Sequence, residues 1–248
     1  DVGTRGDRLA TDIDRKTIAK AGNSEIRLIE EKGDRGFAIE VMSRGALEVV
    51  SKLQAADKIQ GIISLGGGGG TSIATAVMRR LPIGFPKVMV STMAAGDVSR
   101  YVEQSDIVMI PSIVDIAGLN RISRLVLTRA AGAVCGMVDI EVTESADKPL
   151  IAASMFGNTT DCVTRATKIL EEAGYEVLVF HATGTGGRTM ESLVESGMVA
   201  GVLDITTTEW ADENLGGILN AGPTRLEAAA RNGIPAIVAP GCLDMVLL

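Results

Sequence analysis

Short apolar runs alternate with longer amphipathic stretches along most of the chain. Strand patterns fall at 59–65, 87–91, 106–110, 150–154, 176–180, 199–205 and 235–239. Between them apolar positions recur at helical spacing. Phe37, Val41, Ala46, Val49, Val50 and Leu53 predict one helix over 34–56 with Asp34 as its N-cap, interrupted at Arg44-Gly45, where a neighbour can approach closely. Ile122, Leu125, Val126, Ala130, Ala133 and Val134 predict another over 120–137. Further helices are expected over 72–81, stopped by Pro82, over 162–173, capped by Gly174, up to 196 before Gly197, and from Pro223 to about 232. The polar passage 4–8 and the short helical patterns up to about 32 read as surface elaboration rather than core.

Strand and helix alternating at this spacing imply parallel, right-handed βαβ units. The fold class is α/β, with two doubly wound Rossmann-like parallel-sheet domains. The first is expected over 1–145 and the second over 146–248, joined at the polar, proline-ended stretch 144–149. Asp1-Val2-Gly3 reads like the tail of a strand and 244–248 stops without a cap, so the chain is expected to be truncated at both ends.

Ligands of such sheets sit outside the carboxyl ends of the strands, which makes the strand-to-helix loops the places to search. Gly66 to Gly70, followed by Thr71, links the strand at 59–65 to the helix at 72–81. Five glycines lose more backbone entropy on ordering than any other run of that length. A backbone lying close to an anionic ligand, with bare N–H groups at a helix N-terminus, offsets that cost. The run therefore reads as a nucleotide or phosphate cradle formed by Gly67, Gly68, Gly69, Gly70 and Thr71; a tight turn is the plainer reading. It lacks the lysine of a P-loop, and Thr71 replaces the third glycine of a dinucleotide fingerprint.

Several neighbours join that reading. Asp1, if it closes a preceding strand, stands where an acidic side chain bonds ribose hydroxyls in a doubly wound sheet; a solvated terminal residue is the other reading. Ser91 and Thr92, at the next strand end, offer hydroxyls to a phosphate or a magnesium ion, and Asp97 offers a carboxylate. Arg44 and Arg100 can neutralise phosphate charge, or else form surface salt bridges.

The second half repeats the ingredients in Thr183-Gly184-Thr185-Gly186-Gly187-Arg188, beside His181, the only histidine. This supports an alternative function, an enzyme acting on a small anionic metabolite with His181 as general base and Arg188 as anion partner. Glu209, Asp212 and Glu213 cluster around Trp210, either as metal or substrate ligands or as a solvated loop.

An apolar share of 46% provides a core for each domain, while a net charge of −7 leaves no basic face for nucleic acid. Cys135, Cys162 and Cys242 have neither disulfide nor zinc spacing, which reads as a reducing, cytoplasmic setting. No apolar run spans a bilayer, so no membrane partner is expected.

The glycine run, Ser91-Thr92-Met93-Ala94-Ala95-Gly96-Asp97, the stretch 114–124 and the stretch 181–188 together resemble the ATP-binding domain of the tomato mosaic virus resistance protein family, with its uncharacterised bacterial relatives. That resemblance covers essentially the whole chain. It implies two Rossmann-like subdomains, ATP binding in the first, and self-association as a dimer. It also implies a regulatory or protein-interaction role, since the plant domain works by binding a viral replication protein and bacterial members have no established reaction. Members of this family begin one βα unit earlier and continue past the loop at 240–241.

Overall fold

Seven parallel strands form two separate sheets in the computed structural model, which describes residues 1–3, 10–141 and 148–248. The polar passage 4–8 and most of the expected joint at 144–149 lie outside the described residues. The chain divides into units Asp1–Glu141 and Val142–Leu248.

The first unit runs α1 (Arg15–Ala21), α2 (Ile26–Lys32), α3 (Arg35–Ala55), β1 (Ile62–Gly66), α4 (Gly68–Met78), β2 (Lys87–Ser91), α5 (Ser99–Val102), β3 (Val108–Pro111) and α6 (Arg121–Asp139). Its sheet has the order β1-β2-β3, with Gly66 opposite Ser91 and Ser91 opposite Pro111, so the carboxyl ends of the strands finish level. The central strand β2 is wholly buried. Because side chains alternate across a sheet, Met89 packs with Ala74 and Met78 of α4, while Val88 and Val90 pack with Ala130 of α6. Helices thus cover both faces. The order contains no reversal among the described residues.

Local signals set the helix starts. Asp34 Oδ1 accepts from the amides of Gly36 and Phe37 at the head of α3, and Asn120 forms a reciprocal capping box with Ser123 at the head of α6. The helix α3 continues unbroken through Arg44-Gly45. Gly45 serves a close approach: a Cβ there would overlap the Ile18 carbonyl of α1, and one on Gly22 would overlap the Val41 carbonyl. That contact corrects the expectation that 10–32 is surface elaboration. Ile18, Ala19, Ile26 and Ile29 are buried in one cluster with Ala38, Val41 and Met42.

The second unit runs β4 (Leu150–Met155), a 3-10 turn (Gly157–Thr159), α7 (Thr160–Glu172), β5 (Glu176–His181), α8 (Thr185–Glu195), β6 (Gly201–Thr206), α9 (Thr208–Leu215), α10 (Ala228–Arg231) and β7 (Ala236–Gly241). Its strand order, β5-β4-β6-β7, reverses direction at β4 and is doubly wound. The helix expected after Pro223 is only the four-residue α10.

Candidate functional site

The glycine run begins α4 earlier than its apolar periodicity predicts. Gly67 is the N-cap and carries no side chain to cap the helix, so Gly68, Gly69 and Gly70 form a first turn whose amides lack both intrahelical and side-chain acceptors. The turn is tight, since a Cβ on Gly66 would stand 2.9 Å from the Gly70 Cα. Beneath it, the Thr71 hydroxyl donates to the Gly67 carbonyl at 2.8 Å and lies 2.6 Å from the Ser91 hydroxyl, which accepts from the Met93 amide at 2.9 Å. Thr71 and Ser91 have no exposed surface. They brace the loop from below, in place of the ligand-facing role expected of them. Thr92 is more open: its hydroxyl lies 3.6 Å from where a Gly67 Cβ would stand, and with Ser91, Ser112 and Asp115 it lines a cavity of about 390 Å³.

The expected cation, Arg44, is elsewhere. Its Nε and Nη2 donate to the Gly22 carbonyl at 2.9 and 2.5 Å, closing the end of α1, and its Nη1 meets Glu40 at 3.3 Å. Arg35, the first residue of α3, takes the position instead, with Nη2 3.3 Å from the Cβ position of Gly69. Among the described residues the Arg35 side chain has no ion pair or hydrogen bond. The local signal, Asp34 as N-cap, fixes Arg35 at the helix start; only packing of α3 on α4 aims it at the glycines.

Two cavities meet at Arg35, Ile39 and Gly69. One, of about 730 Å³, is lined by apolar Val2, Ile29, Ala38 and Ile73 together with Gly3, Gly70 and the acidic Glu30 and Asp34. The other, of about 470 Å³, extends past Gly68 and Ser72 to Arg79, Arg100 and Tyr101. Arg100 therefore lines this second cavity. It donates to the Tyr101 hydroxyl at 2.8 Å and lies over that ring. Asp1 does not line the first cavity; its carboxylate accepts from the Gly3 amide at 2.7 Å, while the adjoining Val2 and Gly3 do line it. Asp97 is exposed and accepts from the Ser99 amide at 2.9 Å, a bond that holds its carboxyl below the usual range.

The second glycine loop carries its own anion. The amides of Gly184 and Gly187 donate to Glu209 Oε1 at 2.7 and 3.0 Å, and Glu209 Oε2 accepts from Arg225 Nε at 2.7 Å. Arg225 also forks onto Asp204 at 2.5 and 2.7 Å and reaches Glu191 at 3.1 Å. Burial opposes its charge, but hydrogen bonds and charge from Asp204 and then Glu209 outweigh it and raise the guanidinium pKa. The donors expected for a metabolite are thus occupied. His181 ends β5 exposed and stacked on Phe156 at 5.3 Å, and Arg188 donates to the Asn220 carbonyl at 2.8 Å. Glu209 and Asp212 lie on α9 with no exposed surface, so the solvated-loop expectation fails as well. Among the described residues no group of three or more His, Cys, Asp or Glu is placed to hold a metal.

The first domain of the family described as "Uncharacterised protein family (UPF0261) N-terminal domain" matches residues 1–143, and its C-terminal domain matches 148–248. The chain belongs to the UPF0261 family. A UPF0261 protein of Clostridium tetani is 56% identical over 99% of this chain. Two tomato (Solanum lycopersicum) relatives, the ToMV susceptible protein tm-1(GCR26) and the ToMV resistance protein Tm-1(GCR237), are each 44% identical over 86% of it. The chain spans 61% of the bacterial relative and 29% of each tomato protein. The resemblance drawn from the glycine, Ser91, 114–124 and 181–188 strings therefore holds at the level of family. No helix among the described residues of this UPF0261 chain is long and apolar enough to cross a membrane.

Proposed function

We propose that the first unit binds a nucleotide, ATP, with its phosphates on the amides of Gly67 to Gly70 and its base in the 730 Å³ cleft. One observation carries this reading: an uncapped glycine turn at the start of an 11-residue helix, with a guanidinium over it that has no partner among the described residues. Bare amides, helix dipole and Arg35 all favour an anion at one point. Beyond Arg35 the cleft combines apolar Val2, Ile29, Ala38 and Ile73 with the carboxylates of Glu30 and Asp34, a lining that suits a base rather than a bare phosphate ion. For magnesium the cavity beside the glycine turn offers the Thr92 hydroxyl and the carboxylate of Asp115, whose Oδ1 accepts from the Ile116 amide, so such an ion would draw its other ligands from phosphate oxygens and water.

The name of the tomato relative, ToMV resistance protein, fits a regulatory or protein-interaction role for the nucleotide; self-association as a dimer belongs to the same proposal. Calorimetric titration of the chain with ATP and magnesium tests the reading. Saturable heat that Arg35→Ala weakens about tenfold or more is expected, the size of one lost charge-assisted contact. Absence of heat at millimolar nucleotide overturns it.

A further inference from the structure

We infer that the outward face of α6 is where two copies of this chain meet, with their α6 helices antiparallel; this rests on the self-association proposed above and gives it a place. The inner face of α6 is used within its own unit: Ala130 is buried against Val88 and Val90 of β2, with Val126, Val134 and Met137 packed beside it. The opposite face is open. Ile122 and Leu125 are 41% and 49% exposed, and Ile140, which ends the helix, is 68% exposed. Arg121, Arg124 and Asp139 are exposed with them.

The charges on that face run against the helix that carries them. A helix dipole is positive at its N-terminus, yet α6 starts on Arg121, with Arg124 close behind and no acidic residue in the first turn. It is negative at the C-terminus, yet α6 closes on Asp139 with no basic residue in the last turn. None of the three forms an ion pair among the described residues. An antiparallel neighbour reverses this balance, because it lays the arginine end of one helix over the carbonyl end and Asp139 of the other. The spacing fits such a pair. Asp139 follows Arg121 by 18 positions, and Ile140 follows Ile122 by the same 18. That is about five turns at 3.6 residues each, so the two members of each pair stand on one side of the helix. A two-fold axis near Ala130 therefore sets Arg121 on Asp139 of the second copy and Ile122 on its Ile140, and both pairs recur at the other end, as a self-complementary interface requires. A uniformly acidic partner would meet Asp139, and a uniformly basic one would meet Arg121 and Arg124; a reversed second copy meets neither conflict. At 1.5 Å per residue and about 10 Å across, the face offers roughly 300 Å² per copy, below the roughly 800 Å² of a stable pair, so a concentration-dependent dimer is expected.

Sedimentation velocity from about 1 μM to about 500 μM, in wild type, Arg121→Glu, Asp139→Arg and the double variant, tests this. Wild type is expected to pass from monomer to dimer across that range. Each single variant turns two attractive pairs into repulsive ones and is expected to weaken the dimer about ten- to hundredfold. The double variant exchanges the two ends and is expected to return to within about threefold of wild type. Both single changes agree with the helix dipole, so α6 keeps its fold, and a circular dichroism melt no lower than wild type verifies it. A single variant that dimerises like wild type, or a double variant no better than the singles, puts the contact on another face and overturns the inference while self-association stands. A wild type that stays monomeric throughout overturns both, whereas nucleotide binding is read separately by calorimetry.

Discussion

Removing the Glu209 carboxylate takes away the internal anion of the second glycine loop. Three carboxylates, Asp204, Glu209 and Glu191, share the single guanidinium of Arg225, which leaves the cluster formally anionic. Neutral donors compensate. Glu209 takes the amides of Gly184 and Gly187, Asp204 takes the Ser154 hydroxyl at 2.5 Å, and Glu191 takes the amides of Leu226 and Ala228, each at 2.9 Å. Glu209→Ala breaks a buried ion pair, an effect of about 3–5 kcal/mol that includes leaving Arg225 short of a partner. It also strands two buried amides, each costing about 1–3 kcal/mol when unmet, though water entering the space left by the side chain recovers part of that. Glu209→Gln keeps an acceptor for the amides and loses one charge-assisted bond, so about 1.5–3 kcal/mol is expected. Trp210 is the sole tryptophan, and its Nε1 donates to the Arg225 carbonyl at 3.1 Å, so its fluorescence in a urea titration follows this cluster. An alanine variant within about 0.5 kcal/mol of wild type, or no worse than the glutamine variant, refutes the reasoning.

Two glycines inside helices are expected to respond with opposite sign to alanine. At Gly132 of α6 a Cβ meets nothing within 4 Å, so Gly132→Ala should gain about 0.5–1 kcal/mol from helix propensity, seen as a higher thermal midpoint. At Gly45 the same gain is outweighed by overlap with the Ile18 carbonyl, backbone that cannot yield, and a net loss of at least about 1 kcal/mol is expected in denaturant unfolding. For Asp106, burial pushes the carboxyl up, but the hydrogen bond from the fully buried Lys87 ammonium and the one from the Gly84 amide bring it below its usual 3.8. A depressed folded pKa stabilises above the ordinary value and loses that contribution as pH falls through the folded one. Wild type should therefore lose its stability advantage over Asp106→Asn below about pH 4 in acid titration; an advantage constant down to pH 2 refutes the assignment.

The strands and helix caps were legible because their signals are local. Val88 to Val90 is apolar on both faces of a buried central strand, and Asp34 caps its helix within three residues of itself. What the sequence hid is non-local. Ile18, Ile26 and Ile29 lie in polar surroundings, and nothing in α1 announces that Gly45, 27 positions after Ile18, leaves room for its carbonyl. The choice between Arg35 and Arg44 follows the same logic. They are nine positions apart on α3, which at about 100° per residue places them on opposite sides of the helix. Only one of them can face α4, and periodicity alone does not say which side does.

The two glycine loops share a grammar and differ in what fills them. In the second unit the filling group comes from α9, 25 residues after Gly184 and 22 after Gly187, beyond any motif drawn around the loop. In the first unit the carboxylate nearest in sequence after β2, Asp97, is exposed and turned onto Ser99, and α4 begins on amides that no side chain caps. A glycine loop is thus an anion site for a ligand only when the fold does not supply the anion itself. An anion that binds the first loop does there what Glu209 does in the second: it satisfies the first-turn amides and a guanidinium together. Because such a ligand binds the folded state alone, its stabilisation grows with the logarithm of its concentration, whereas that of Glu209 is fixed. ATP should accordingly raise the unfolding midpoint of the first unit while leaving the transition reported by Trp210 in place.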